Sequence, residues 1–184
     1  MARGGVMRVI NAKDADEAVK LAAETFIEAA DARPDAPIGL ATGGTMDGIY
    51  LKLKELGFRP KTKHAFALDE YEGLEPGSEN SYAAELRDKF VERLGWTGTL
   101  HVPGTGHYSG ETGLELLEQR LTELGPISVQ LLGLGSNGHI ASMSQDQNLL
   151  PPQDWLSYIR QREVTTHGFF RAWKMCQPMP IPKA

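Results

Sequence analysis

The fold follows from residues 37–57, which read PIGLATGGTMDGIYLKLKELG. The opening residues, PIGLA, form an apolar run with the length of a buried strand. After the turn TGGT, apolar residues recur on one helix face at Ile49, Leu53 and Leu56, and the pattern stops at Gly57. A strand that passes through a glycine turn directly into a helix is the repeating unit of a parallel sheet covered by helices.

The same unit recurs on both sides of this stretch. Further strands are predicted at residues 7–11 (MRVIN), 64–68 (HAFAL), 99–103 (TLHVP) and 128–135 (SVQLLGLG). Helical periodicity lies between them: one helix begins near Asp14, with Glu17 at capping-box spacing, and two more have apolar faces within residues 82–94 and 114–124. We therefore predict five strands and four helices in an α/β fold, an open, doubly wound, mostly parallel Rossmann-like sheet with helices on both faces. The apolar run at 128–135 predicts a central strand buried on both faces.

Composition and charge exclude several classes of protein. The 184 residues suffice for one domain, and the formal charge of -5 gives no basic excess, so we expect neither nucleic acid nor a membrane surface as a partner. No apolar run approaches the ~20 residues of a membrane span, and the N-terminus lacks a signal-peptide pattern, so we expect a cytoplasmic protein. Cys176 is the only cysteine. We therefore expect no disulfide and no structural metal site.

The ends of the predicted strands are informative, because ligands of open parallel sheets bind beyond the carboxyl ends of the strands. Thr42, Gly43, Gly44 and Thr45 follow one strand and precede a helix. Their backbone N–H groups could hold a phosphate, since glycines expose the backbone and the amino end of a helix favours an anion. A plain tight turn with Thr45 as the helix cap is the structural alternative.

Two carboxylates follow the next strand, at Asp69 and Glu70. Either could act as a general base, because burial beside a second carboxylate raises the proton affinity of an acid. A solvated acidic loop is the structural alternative. The last strand ends in the glycine-rich turn of residues 133–138 and delivers His139 to the same edge, where an imidazole could move a proton to and from a sugar ring oxygen. We interpret the other histidines as structural.

Four motifs in this order resemble the glucosamine-6-phosphate deaminase and isomerase family, within the 6-phosphogluconolactonase superfamily. They are ATGGT with Gly48 and Tyr50, the motif LDEYEGL ending at Leu74, the pair Ser81-Tyr82, and LLGLGSNGHIA at residues 131–141. The resemblance covers residues 7–141. Tyr71 and Tyr82 are more similar to the deaminases than to the lactonases, which have arginine after the Asp-Glu pair.

The resemblance implies a reaction and a site. The reaction would convert glucosamine 6-phosphate to fructose 6-phosphate with release of ammonia, without a metal or an organic cofactor. Asp69 would move the proton at the carbon that bears the amine, His139 would assist ring opening, and Asn137 stands where many members have aspartate. Thr42, Gly43, Gly44 and Thr45 would hold the phosphate. Family members commonly form homo-oligomers, so the resemblance leaves a homo-oligomer open here, although the sequence does not give the oligomeric state.

Two other functions stay open from the sequence. Within the same fold, the chain could be a 6-phosphogluconolactonase-like hydrolase. In a different class, it could be a non-catalytic sugar-phosphate binder or an inert gene remnant. The sugar phosphate that the chain processes, and whether ammonia is released, would separate these functions.

Residues 142–184 depart from the family pattern. Family members continue with Asn-Glu-Pro-Gly, whose glutamate belongs to the catalytic set, whereas this chain reads SMSQDQ at 142–147. We hypothesise that loss of one nucleotide shifted the reading frame, because codons that can encode SMSQDQ can also encode FNEPGS after one base is restored. The same shift turns residues 167–184 into a segment that resembles a later part of the family. We therefore expect an incomplete domain at residues 7–141, a poorly packed tail and weak or absent activity.

Overall fold

The fold is built around a parallel sheet. The computed structural model describes residues 8–71, 74 and 77–134. Its strands are β1 (Ile38–Leu40), β2 (His64–Ala67) and β3 (Thr99–His101), arranged in the order β1-β2-β3 with parallel pairing throughout. Leu40 pairs with Ala67, and Phe66 pairs with His101. The predicted α/β class with a parallel sheet is confirmed.

The predicted strand at 128–135 does lie beside β1, but as a short parallel contact. Gly39 and Gln130 form an isolated parallel bridge, the Gly39 N–H donates to Val129 O at 2.8 Å, and the Leu131 N–H donates to Gly39 O at 3.2 Å. Val129 and Leu131 are half-buried, and Leu134 is 76% exposed, so the prediction of a strand buried on both faces is wrong. The reason is that residues 129–132 line an open cleft, so the segment is not covered on both faces.

The predicted strand at 7–11 is also wrong for the part that the structure describes. Residues 8–12 form no strand, and Val9 and Ile10 are 76% and 44% exposed. The segment runs along a cleft of about 450 Å³ between helix α1 (Ala15–Ala32) and residues 129–132. A short apolar sequence forms a strand only when a neighbour pairs with it, and no described strand does so here.

The remaining predicted helices are present. They are α2 (Gly44–Glu55), α3 (Tyr82–Leu86) and α4 (Gly110–Leu124), with a π-helical segment at Arg87–Glu92 after α3 and a 3-10 turn at Gly106–Tyr108. Asp14 caps α1 as its sequence spacing predicts, because its side chain accepts from the Glu17 N–H at 2.8 Å. The helix predicted within residues 82–94 is thus partly π-helical, which its apolar spacing did not indicate.

Alternate residues of β2 face two different hydrophobic clusters. Ala65 and Ala67 belong to the larger cluster, which includes residues of α1, α2 and α3. Phe66 belongs to the smaller cluster, with Leu117 and Leu121 of α4. Because successive strand residues point to opposite faces, the helices cover both faces of the sheet, as predicted.

The strand order reverses beside β1. The chain proceeds from β1 to β2 to β3 on one side, and then returns through α4 to place residues 129–131 on the other side of β1. A reversal of this kind opens a crevice beyond the carboxyl ends of the two strands, which is where open α/β sheets bind ligands. The turn at residues 42–45 follows β1 directly into this crevice.

Candidate functional site

The turn after β1 has an open, glycine-dependent backbone. Gly43 has a φ of 111°, a conformation that favours glycine, and it is the N-cap of α2. The alternative in which Thr45 caps the helix is therefore wrong, since Thr45 lies inside the first turn of α2. A Cβ placed on Gly43 or Gly44 would meet no atom within 4 Å. The space in front of the turn is therefore available to a ligand, and the first N–H groups of a helix lack intrahelical acceptors.

Tyr50 holds the strand end that leads into this turn. Its hydroxyl donates to Ala41 O at 2.6 Å and accepts from the Ala41 N–H at 3.2 Å. Tyr50 is almost fully buried, and burial raises the pKa of its phenol, so the hydroxyl stays protonated. Tyr50 of α2 thus fixes the backbone of Ala41, directly before Thr42.

Asp69 lies next to this strand end. The Leu68 N–H donates to Leu40 O at 2.9 Å, so the chain leaves β2 at Asp69 beside the point where it leaves β1. Asp69 is only 7% exposed. Burial, with a smaller contribution from the charge of Glu70, raises the pKa of Asp69 to about 6. A carboxylate with this proton affinity can both accept and return a proton near neutral pH.

Glu70 is bound to the backbone at the start of α3. Its Oε1 accepts from the N–H groups of Tyr71 and Tyr82, each at 2.9 Å, and its Oε2 accepts from the Ala83 N–H at 2.8 Å. Ser81 caps the same helix, because its hydroxyl accepts from the Ala84 N–H at 3.0 Å. The chain directly after Asp69 is thereby fastened to α3.

Two tyrosine rings contact each other beside the carboxylates. The rings of Tyr71 and Tyr82 are 4.7 Å apart between centroids, and the Tyr82 hydroxyl donates to the Tyr71 hydroxyl at 3.0 Å. Burial, the bond to Tyr71 and the charge of Asp69 all raise the pKa of Tyr82. The structure thus brings a phenol of α3 close to Asp69, and these are the two tyrosines that favour the deaminase side of the resemblance.

A charged network joins α2 to α3 and the π-helical segment, and the sequence analysis missed it. Glu85 accepts from the Gly43 N–H at 3.3 Å and pairs with Lys89 at 3.1 Å. Arg93 donates to Asp47 at 2.6 Å. The spacing of Glu85, Lys89 and Arg93, four residues each, places them along one helix face and is the signal that could have revealed them.

Two of the histidines interpreted as structural do pack in the core. His101 is 3% exposed, stacks on Phe66 with 4.5 Å between ring centroids, and lies 3.0 Å from His64 between ring nitrogens. Burial, then the charges of His64 and Arg120, lowers the pKa of His101 to about 4. The predicted site residues Asn137 and His139 lie outside the described residues, as does the tail at 142–184.

Neither a metal-ligand cluster nor a membrane span is found in the described part of the chain. Across residues 8–71, 74 and 77–134, no three His, Cys, Asp or Glu side chains come together as a metal site would require. In the same residues, no helix has the length and apolar character needed to cross a membrane.

Comparison with known proteins agrees with this geometry. The sequence model of the glucosamine-6-phosphate isomerases/6-phosphogluconolactonase family matches residues 11–167. This range passes residue 141, where the family-like motifs end, so the domain boundary predicted there stays a prediction.

Several curated relatives are glucosamine-6-phosphate deaminases. The chain is 34% identical over 141 residues to deaminase 1 of Bacillus subtilis, covering 73% of this chain and 57% of the relative. It is 36% identical over 141 residues to the enzyme of Staphylococcus haemolyticus (73% and 58% covered), and 32% identical over 155 residues to that of Arthrobacter sp. (82% and 60%). The chain thus spans about three-fifths of the length of these relatives.

A solved structure is similar as well. It is that of a monomeric glucosamine-6-phosphate deaminase described as the missing link of the NagB superfamily, with a TM-score of 0.64 and 29% identity over 85% of this chain and 70% of that one. The fold, the strand-end motifs and the matched range agree, and the chain belongs to the glucosamine-6-phosphate isomerase/6-phosphogluconolactonase family.

Proposed function

We propose that this chain carries the phosphate-binding and proton-transfer part of an aminosugar-phosphate isomerase/deaminase. The substrate is glucosamine 6-phosphate, which with water gives fructose 6-phosphate and ammonia. The observation that carries the proposal is the position of Asp69, a buried carboxylate with a pKa of about 6 beside the open glycine turn at the reversal of the sheet. The relatives named as deaminases support the choice of substrate.

The reaction needs a base that takes a proton from one carbon and returns it to its neighbour. Asp69 suits this step, because its raised pKa lets it hold the proton between the two transfers. Tyr82 stays protonated near Asp69; its hydroxyl donates to Tyr71, and its oxygen can accept a hydrogen bond from a sugar hydroxyl. His139 and Asn137 complete the proposed acid-base set, with His139 assisting ring opening.

The phosphate binds at Thr42, Gly43, Gly44 and Thr45 in this proposal. Open space lies where the Cβ atoms of Gly43 and Gly44 would stand, beside the start of α2, and the helix dipole favours a dianion there. The sugar then extends from the turn after β1 toward the end of β2, where Asp69 lies.

The first test measures ammonia release from glucosamine 6-phosphate by the purified 184-residue chain and by a version with the reading frame restored after Ala141. We expect activity only in the restored version, since this chain lacks the Glu of the Asn-Glu-Pro-Gly motif. In the restored version, Asp69→Asn should lower kcat by roughly 100-fold to 10,000-fold. Full turnover by the unrestored chain would overturn the weak-activity proposal, and an unchanged kcat in Asp69→Asn would overturn the role of Asp69.

A lactonase function is the second candidate, because the matched family includes the 6-phosphogluconolactonases. Incubating both versions with 6-phosphogluconolactone, and correcting for spontaneous hydrolysis, separates the two reactions. Binding of glucosamine 6-phosphate without turnover by the restored version would instead indicate a non-catalytic binder.

We also propose that the protein acts in the cytoplasm, and a homo-oligomer stays open as a second statement, since the similar solved structure is of a monomeric enzyme. A single cysteine and a net charge of -5 support the first statement. Fractionation and light scattering test the two statements directly.

A further inference from the structure

The carboxylate of Glu70 is hydrogen-bonded on both of its oxygens. Both of its oxygens accept backbone hydrogen bonds, from Tyr71 and Tyr82 on Oε1 and from Ala83 on Oε2, at 2.8–2.9 Å. Two of these N–H groups belong to the first turn of α3, and the third belongs to the loop itself. The side chain therefore bridges the chain after β2 and the helix that follows.

We propose that Glu70 is a positioning residue, which locks the chain after β2 to α3 and thereby fixes the place of Asp69. This inference rests on the proposed function in one respect, namely that Asp69 is the base that transfers the proton. It assigns Glu70 a role outside direct proton transfer, although its residue type alone would suit a general base.

The geometry argues against a proton-transfer role for Glu70. To receive a proton from a substrate, one of its oxygens would have to release N–H donors that have no other acceptor in the first turn of the helix. Bonds from N–H groups to a carboxylate are charge-assisted and strong, so this exchange is costly. Asp69 carries the buried carboxylate at the strand end, and Glu70 holds it there.

Groups from the loop and from α3 surround Asp69. Glu70 is its sequence neighbour on the loop, and its negative charge favours the protonated form of Asp69. Tyr82, from α3, interacts electrostatically with Asp69, and Tyr71 contacts Tyr82 from the loop side. Tyr82 is neutral near pH 7 because its pKa is raised. The charge of Glu70 therefore adds to burial in raising the pKa of Asp69.

The test uses the ligand-free chain and needs no activity. The pKa of Asp69 is measured by following its carboxyl carbon by NMR between pH 3 and pH 9, and hydrogen exchange is measured at the amides of Tyr82 and Ala83. Glu70→Gln removes the charge and one acceptor oxygen, whereas Glu70→Asp keeps the charge and shortens the reach. Glu79→Gln is the matched control, because Glu79 lies on the same loop, is exposed and makes no hydrogen bond to the described residues.

We expect Glu70→Gln to lower the pKa of Asp69 by roughly half a unit or more, the effect of one unit charge a few ångströms away in a water-like medium. Exchange at Tyr82 and Ala83 should accelerate roughly tenfold or more. Glu70→Asp should accelerate exchange but leave the pKa of Asp69 raised, and Glu79→Gln should change neither quantity.

Two results would overturn the inference. One is a Glu70→Gln variant in which the pKa of Asp69 and both exchange rates match those of the wild type. The other needs no variant: in the wild type, the Tyr82 and Ala83 amides would exchange as fast as those of Gly44 and Thr45, in the first turn of α2. If either Glu70 variant fails to fold, amide exchange in the wild type still decides whether the Glu70 bonds protect Tyr82 and Ala83.

Failure of the proposed function has a separate signature. Glucosamine 6-phosphate added to the wild-type chain should shift the NMR signals of Gly43, Gly44 and Asp69. If these signals stay unchanged in this chain and in the frame-restored version, the proposed substrate is wrong, while the ligand-free titration still reports on Glu70.

Discussion

Burial shifts the pKa values of two polar side chains of this sheet, Asp69 and His101, in opposite directions. Asp69 and His101 are 7% and 3% exposed, and in each case burial is the largest cause of the pKa shift. Burial disfavours charge, so the pKa of Asp69 rises to about 6 and that of His101 falls to about 4. Both side chains are pushed toward their neutral forms.

The surroundings of the two side chains differ. His101 is enclosed by its partners, with Tyr108 at 2.8 Å, His64 at 3.0 Å and Phe66 stacked on the ring. Asp69 leaves the sheet beside a glycine turn that faces open space. A shifted pKa therefore identifies a buried group, whereas a position at the carboxyl end of a strand identifies the candidate site.

The largest expected effect concerns His101 and acid. Its folded pKa lies below its unfolded value, so the unfolded chain binds the extra proton and stability is lost as the pH falls from about 6.5 to about 4. After allowance for solvent screening we expect a loss of roughly 2–3 kcal/mol over this window, to which His64 and Arg120 contribute through repulsion. Urea unfolding across the window checks this, and His101→Gln should flatten the profile. Profiles of equal slope would contradict it.

Asp69 should show the reverse dependence. Its folded pKa is raised, so the native state holds the proton more tightly, and stability is lost as the pH rises from 3.8 to about 6. Asp69→Asn should therefore stabilise the fold at pH 8 by about 2 kcal/mol, and by much less at pH 4. Urea midpoints at the two pH values measure the effect, with Glu79→Gln as the control. Equal stabilisation at both pH values would show that the charge of Asp69 is not its cause.

One tyrosine hydroxyl can be removed beside His101 and one beside Asp69. Tyr108→Phe leaves the ring nitrogen of buried His101 without its partner at 2.8 Å, which should cost about 1 kcal/mol. Tyr82→Phe removes a bond between two half-buried phenols and should cost about half of that or less. Thermal unfolding of both variants at pH 7 gives the two values. A larger loss of stability for Tyr82→Phe than for Tyr108→Phe would show that the surroundings of Asp69 are more enclosed than those of His101.

The smallest expected effect concerns the open turn. The carboxylate of Glu85 accepts from the Gly43 N–H and competes with an incoming phosphate for it. Glu85→Gln should therefore bind inorganic phosphate about two-fold to five-fold more tightly, in line with the strength of exposed charge interactions. Titration followed by NMR compares it with Glu92→Gln, a control on the exposed side of the same helical segment. Equal affinities in the two variants would show that Glu85 does not compete.

Much of the fold was predictable, because apolar periodicity reports which segments are buried. The strands that contain Ile38, Phe66 and Leu100 and the four helices were found in this way. The segment at residues 8–11 has the same apolar character, and yet it stays unpaired. Strand formation depends on a partner, which local sequence does not specify.

The candidate site stays a prediction. Thr42–Thr45 and Asp69 were predicted because they stand where buried strands stop, and the parallel arrangement brings such ends to one edge. Glu85 was missed, since its contact with the Gly43 N–H spans 42 residues of sequence. The division of roles between Asp69 and Glu70 could not be read from two adjacent acids in a loop.

Short-range information thus defines the strand-turn-helix unit, the glycine turn and the carboxylates at the strand end, because these depend on neighbours along the chain. The reversal of the sheet beside β1, the burial of Asp69 and the bonds that fasten Glu70 to α3 depend on segments that meet only after folding. The physical reason is that proton affinity and hydrogen-bond partnership are set by the surroundings in space, and distant parts of the chain build those surroundings.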